Sequence, residues 1–500
     1  MDTALIAQTG NGQVRGTVDD GVRVFKGIPY AAARRFAAPT PAVPWAGVRD
    51  ALAYAPMAPQ PSVNLGGLFA SWTFDSAMSE DCLAINVWTP ALRDGGKRPV
   101  MVWFHGGDFS SLSGSRNVFD GVRLCNRGDV VVVTLNHRLN AFGYMYLGEV
   151  APELGAAANP GMLDLVAALE WVRDNIAEFG GDPGNVTIFG QSGGGGKVAT
   201  IMAMPGAEGL FHRAIIQSGS YARNAHLQAM TPAEASGLTR SLLAALDVAP
   251  AALMDLPMEA IVAGLAKAAR APKRPVWRPV ADGTVLPAGP WWPQPPAVSA
   301  QVPLMIGTTA TETTMLIGTF DPTTFALDDA GLRARMAAIF KPAAVDRVIA
   351  GMQAAHPGAS PADLFFWITT TNMFQKGAWL HAAQKASQNA APVYLYELTW
   401  CTPVDGGKWH SPHSADLPLM FDNVAKSASM VGTGADAQIV ADTMSAAWIA
   451  FARSGKPATP TLDWPAWTTD TRATMVFDVQ SRVVNGYRDP ERVLFEGNLV

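Results

Sequence analysis

The sequence predicts an α/β fold, with a central, mostly parallel sheet flanked by helices on both faces. Three observations predict it. Apolar runs of strand length recur along the chain: PVMVWF (99–104), VVVVTL (130–135), VTIF (186–189), AIIQ (214–217), PLMIG (303–307) and VYLYEL (393–398). These runs are apolar at successive rather than alternate positions, so both faces of each strand must be covered, as in parallel sheets sandwiched between helices. Helical stretches separate them. The segment MLDLVAALEWVRDNIAEFGGDP (162–183) has helical periodicity between two runs, with Gly180 and Gly181 as its stop and Pro183 just beyond.

The remaining elements follow in chain order. In the first 30 residues, short β-like runs alternate with the turn signals TGNG and VDDG, which predicts a small N-terminal antiparallel meander. The Pro- and Ala-rich stretch AAPTPAVPW then reads as irregular. Residues 231–272 read as a helical cap insertion. Thr231 can cap it, Pro232 suits the first helical position, and Glu234 completes a capping box. Such an insertion either roofs a pocket or simply packs. No internal repeat, charge run or long Ser/Gly linker divides the chain, so residues 1–500 are expected to form one domain.

Composition excludes several classes of function. Hydrophobic residues make up 49% of the 500 and charged residues only 16%, which describes a globular chain rather than a disordered one. The 37 basic and 42 acidic residues are spread evenly, leaving no basic footprint for nucleic acid. Three cysteines, Cys82, Cys125 and Cys401, are too sparse for a disulfide framework or a thiolate metal site and fit a reducing compartment. No apolar run reaches the roughly 18 residues of a membrane span. The start MDTALIAQTGNGQVRG lacks the pattern of a signal peptide, so a cytoplasmic location without membrane attachment is expected.

The stretch FGQSGGGGKVAT (189–200) carries the chemistry. A phosphate loop needs a glycine five residues before the Gly-Lys pair and a Ser or Thr after it, where this chain has Gln191 and Val198. A linker does not fit between the strand NVTIF and a helix former. What remains is a sharp strand-to-helix turn, Gly190-Gln191-Ser192-Gly193-Gly194, matching the nucleophile elbow G-x-S-x-G. A serine nucleophile needs a base and fixed donors for its oxyanion. At the end of PVMVWF stands HGGDF (105–109), where an HGGG-type oxyanion loop would lie. Gly107, Asp108 and Gly193 are the expected backbone donors.

These motifs belong to a longer ordered series: FKGIPYA (25–31), EDCLAINVWTP (80–90), NHRLNAFGY (136–144), LFHRAIIQSGS (210–220), PVADGTVLP (279–287) and WIAFARSGKP (448–457). The series resembles the type-B carboxylesterase family of α/β-hydrolases, which includes para-nitrobenzyl esterases, carboxylesterases and cholinesterases. The resemblance implies a serine hydrolase of small-molecule carboxylic esters, working through an acyl-enzyme without metal or cofactor. In this fold the chain order is nucleophile, acid, histidine. Beyond Ser192 and its following strand lie His226, His356, His381, His410 and His413, and only HSADLPLMF, led by His413, resembles the family's H-x-x-E-L segment. Asp416 takes the acidic place. IGTTATETT puts Glu312 where the family carries its triad acid, and Ser218 of QSGS resembles a serine that supports that acid. A metal pair of His410 and His413 is opposed by Pro412 and by the lack of a third ligand.

The sequence departs from the family at Gln191 (usually Glu), Gly193 (usually Ala), Thr311 and Thr313 (usually Asp and Gly). The Asp108 side chain is expected to turn away from a developing negative charge. A family disulfide from Cys82 would need a partner where Ala58 stands, so no bridge is expected, and Arg35 is expected to pair with Glu80. Phe109, Trp291 and Trp292 are candidates to line an apolar pocket. Amide, carbamate or lipid hydrolysis on the same triad, and a non-catalytic binding role, stand as alternatives, since fold does not fix substrate. Oligomeric state is not legible.

Overall fold

The structure, a computed structural model, describes residues 5–62, 66–73, 77–220, 228–269 and 276–495. An eleven-stranded sheet runs through it. Its strands in chain order are β1 (Thr17–Asp19), β2 (Val22–Pro29), β3 (Ala84–Thr89), β4 (Arg98–Phe104), β5 (Val131–Leu135), β6 (Gly181–Gln191), β7 (Arg213–Gln217), β8 (Leu304–Thr309), β9 (Val393–Leu398), β10 (Thr474–Phe477) and β11 (Arg482–Val484). Strands β4 to β10 pair in parallel, while antiparallel strands close both sides. Every residue of β4, β5, β8 and β9 is buried, as their unbroken apolar runs require.

The meander is antiparallel as expected, but it divides between two sheets. Ile6–Thr9 and Gly12–Arg15 form a hairpin that takes Val48–Asp50 as a third, parallel strand. The second hairpin, β1 with β2, instead joins the main sheet beside β3. Val22, Val24, Phe25 and Ile28 of β2 are buried there, which the short first hairpin could not have provided.

Sheet order fixes where a site can form. From β4 the chain steps to β5 on one side and then, through helix α1 (Pro160–Asn175), to β6 on the other. That reversal is a switch point, where the carboxyl ends of neighbouring strands diverge and leave a crevice. The carboxyl ends of β4 and β6 face it together, with Phe104 in register with Gly190. Helix α2 (Gly193–Ile201) springs directly from β6.

The insertion holds helices α3 (Pro232–Leu246) and α4 (Met258–Ala268), and its last residues, 270–272, lie outside the described ones. Both halves of the predicted capping box are formed: the Glu234 N–H donates to Thr231 Oγ1, and the Thr231 N–H to Glu234 Oε2. Arg35 pairs with Glu80 and also donates to the Leu253 and Leu256 carbonyls, so the expected ion pair moors the insertion as well. Cys82 and Cys125 are buried free thiols and Cys401 is an exposed one. Among the described residues no helix is long and apolar enough to cross a membrane.

Candidate active site

Ser192 occupies the turn between β6 and α2 with φ 58° and ψ −126°, a backbone conformation L-residues rarely adopt. Its N–H donates to the Gln217 carbonyl at 2.8 Å, and its own carbonyl accepts from the Gly196 N–H at 3.0 Å. The turn leaves no room for side chains nearby: a Cβ on Gly194 would stand 2.0 Å from the Phe104 carbonyl oxygen. Helix α2 therefore packs directly against the end of β4.

The loop after β4 brings Gly107 and Asp108 over this helix. Among the described residues their N–H groups make no hydrogen bond, and the Gly193 N–H, first in its helix, has no partner within it. Three donors are thus unspent beside Ser192. The Asp108 carboxylate makes no hydrogen bond or ion pair among the described residues, and Asp108 borders two adjoining cavities of about 220 and 190 Å³. Ser192 and His413 line the larger one, with Trp72, Phe119, Met315 and Leu417. Leu265, at the end of α4, and Trp277 line the smaller, so the insertion does roof part of the pocket.

His413 and Glu312 meet as expected. His413 Nδ1 lies 2.5 Å from Glu312 Oε2, with both side chains buried. The other carboxylate oxygen accepts from Ser218 Oγ at 2.5 Å and from the Thr309 N–H at 2.8 Å. With the Nδ1 proton directed at Glu312, Nε2 is left as the acceptor. In this structure Gln191 Nε2 lies 3.2 Å from His413 Nε2 and 3.4 Å from Nδ1, over the face of the imidazole, and among the described residues Ser192 Oγ makes no hydrogen bond. Ser192 and His413 share a cavity, and the Gln191 amide overlies the imidazole between them and the strand end.

The unusual threonines beside Glu312 act as braces. Thr311 Oγ1 donates to the Ser411 carbonyl and accepts from the Ser411 N–H, which stitches the acid's loop to the histidine's. Thr313 Oγ1 donates to the Phe366 carbonyl. Asp416 is fully buried and makes no hydrogen bond to His413, accepting instead from Gln217 Nε2 and the Tyr396 hydroxyl, and burial pushes its pKa up to about 6. His410 Nε2 lies 3.0 Å from Asp363 Oδ1, and His226 lies outside the described residues.

One expectation fails. Phe109 is buried against Tyr144, Trp291 is buried with its indole N–H on the Ala199 carbonyl, and Trp292 is about half exposed. None lines either cavity, because the pocket walls come from segments whose convergence has no local signal. Sequence reasoning also gave Gln191 and Lys197 no part in the site. The missing Glu and the missing Ser/Thr after Gly-Lys were the only signals.

A model of the carboxylesterase family matches residues 3–494. The chain belongs to that family. This carboxylesterase is 34% identical to the para-nitrobenzyl esterase of Bacillus subtilis (strain 168), over 98% of its own length and 97% of that protein's. It is 32% identical to the phenmedipham hydrolase of Pseudarthrobacter oxydans, over 99% of both chains. Among solved structures it superimposes on a carboxylesterase of Geobacillus stearothermophilus with a TM-score of 0.83 and 34% identity, covering 98% of this chain and all of that one. The carboxylesterase therefore has the α/β-hydrolase fold and is a carboxylic ester hydrolase.

Proposed function

We propose that this enzyme cleaves small-molecule carboxylic esters through an acyl-enzyme formed on Ser192. Ser192 Oγ attacks the ester carbonyl carbon while His413 Nε2 takes its proton, and Glu312 holds the imidazole tautomer and stabilises the imidazolium. The carbonyl oxygen becomes an oxyanion held by the N–H groups of Gly107, Asp108 and Gly193. The intermediate collapses, and His413 returns the proton to the leaving alcohol. Water, deprotonated by the same imidazole, then attacks the acyl-serine and releases the acid. Attack requires the Ser192 hydroxyl to reach His413 Nε2, and catalytic hydrogen bonds often tighten only when substrate binds.

One observation carries the reading: the 2.5 Å contact of His413 with Glu312 at a cavity headed by a strained serine and three unspent amides. The name of the para-nitrobenzyl esterase relative supports a small ester as substrate. On the same reading residues 1–500 act as one domain, supported by a sheet whose strands run from Thr17 to Val484. Three free thiols support a cytoplasmic location.

The test is Ser192→Ala with 4-nitrophenyl butyrate as substrate. Turnover is expected to vanish while the thermal melt stays close to that of the parent. Diisopropyl fluorophosphate is expected to add one adduct mass to the parent and none to the variant. Comparable turnover by both proteins would require a different nucleophile.

A further inference from the structure

Lys197 is buried completely on helix α2, the helix that starts directly after Ser192. Its Nζ donates to the His105 carbonyl at 2.8 Å, at the start of the loop that presents Gly107 and Asp108. Among the described residues no carboxylate stands within ion-pair distance of it. Burial pushes its pKa down to about 7, against which the charge of Asp108 acts upward. The other ionisable groups facing this spot are basic. The His105 and His137 rings stack 5.0 Å apart, and both are held far below the usual imidazole range by burial, then by Lys197. Arg116 adds a further positive charge toward His105.

A buried ammonium without a counter-ion is costly to a fold. Asp108 acts on it only at a distance, and a second negative charge, the oxyanion of the reacting ester, arrives beside the same loop during reaction. We propose that Lys197 is a positioning residue for catalysis: from helix α2 it fixes the His105 carbonyl, hence the peptide planes leading to the Gly107 and Asp108 donors, and sets beside the loop a positive charge that no direct ion pair neutralises. The ester carbonyl is neutral and the tetrahedral adduct is not, so the effect falls on turnover rather than on substrate binding. The inference rests on the proposed serine mechanism and its oxyanion donors.

The experiment compares the parent, Lys197→Met, Lys197→Arg and Ser192→Ala on 4-nitrophenyl butyrate, with inhibition by an alkylthio trifluoromethyl ketone, which forms a tetrahedral adduct on an active serine. Lys197→Met is expected to lower kcat by about 10- to 100-fold with KM changed less than about twofold, and to weaken the ketone by a factor similar to the loss in kcat. Lys197→Arg, which keeps the charge and a donor, is expected to recover most of both. A Lys197→Met enzyme with parental kcat and ketone affinity overturns the proposal, as does a loss of kcat that leaves the ketone's affinity unchanged or that arginine does not relieve. Should Lys197→Met fail to fold, Lys197→Gln carries the same measurements. Failure of both to fold also overturns it, because the lysine then serves only the fold. Failure of the serine mechanism is read separately, as Ser192→Ala turning over at the parental rate.

Discussion

Gly193 lies so close beneath Asp108 that a Cβ added to it would stand 2.2 Å from the Asp108 Cα and 2.4 Å from its nitrogen. The residue after the nucleophile and the loop that faces it are therefore fitted to each other. An alanine here, the residue that the type-B carboxylesterase resemblance leads one to expect, would drive the loop away from the helix. Gly193→Ala is expected to lower kcat on 4-nitrophenyl butyrate by about 100-fold, the typical effect of losing one oxyanion donor. Labelling by diisopropyl fluorophosphate should slow in parallel. A variant with parental kcat would mean that the loop yields without moving its donors.

Glu312 divides its oxygens between His413 and Ser218, and the two contacts carry different weights. Glu312→Gln keeps the shape, yet its amide can place a donor at Nδ1 and drive the proton to Nε2. In that tautomer the imidazole cannot act as base, so kcat is expected to fall by about 10⁴-fold. Ser218→Ala removes one hydrogen bond to a charged group, a loss of about 1.5–3 kcal/mol in the support of the acid. Its kcat is expected to fall by about 10- to 100-fold. Steady-state kinetics on both variants checks the order.

The pattern of what sequence does and does not disclose follows from distance along the chain. The capping box of Thr231 and Glu234 and the elbow around Ser192 are local, so residue types three or four positions apart specify them. Buried parallel strands are nearly as open to reading, because burial on both faces leaves unbroken apolar runs. Picking His413 from five histidines needed the family resemblance, since its partner lies 101 residues away. The contact of Gln191 with His413 spans 222 positions and has no local sign, as does the convergence of Trp72, Phe119 and Leu265 on the pocket. Strand β2 reads as part of the meander alone because its other sheet neighbour, β3, is recruited only by the tertiary fold.

Arg138 and Asp164 form a buried two-pronged ion pair beneath this framework, with Nη2 to Oδ1 at 2.5 Å and Nε to Oδ2 at 2.8 Å. Arg138 also donates to the Ala37 carbonyl at 2.7 Å, tying the N-terminal segment to α1. Asp164→Ala would leave a buried guanidinium without its counter-ion. The expected cost is about 3–5 kcal/mol, read as a lowered midpoint in urea denaturation. A midpoint within error of the parent would show that the cation finds water or another acceptor.

His410 and Asp363 form the more exposed pair, with His410 Nε2 3.0 Å from Asp363 Oδ1 at the capped start of helix Pro361–Thr370. The hydrogen bond with Asp363 is the largest of the influences that raise the His410 pKa to about 9, and the same bond lowers that of Asp363. A histidine raised above its unfolded value of about 6.5 adds stability that is complete below that pH and lost as pH climbs through about 9. The depressed carboxylate acts oppositely: its contribution is present above about 3.9 and fades as pH falls below that. The pair should therefore stabilise most between about pH 4 and 6.5. Because the side chains are 36% and 29% exposed, screening limits the effect to about 1 kcal/mol or less. The difference in melting temperature between the parent and His410→Gln is expected to be largest near pH 5.5, to shrink steadily above pH 7 and to vanish by about pH 10. A difference that stays constant across that range would rule out an ionic origin.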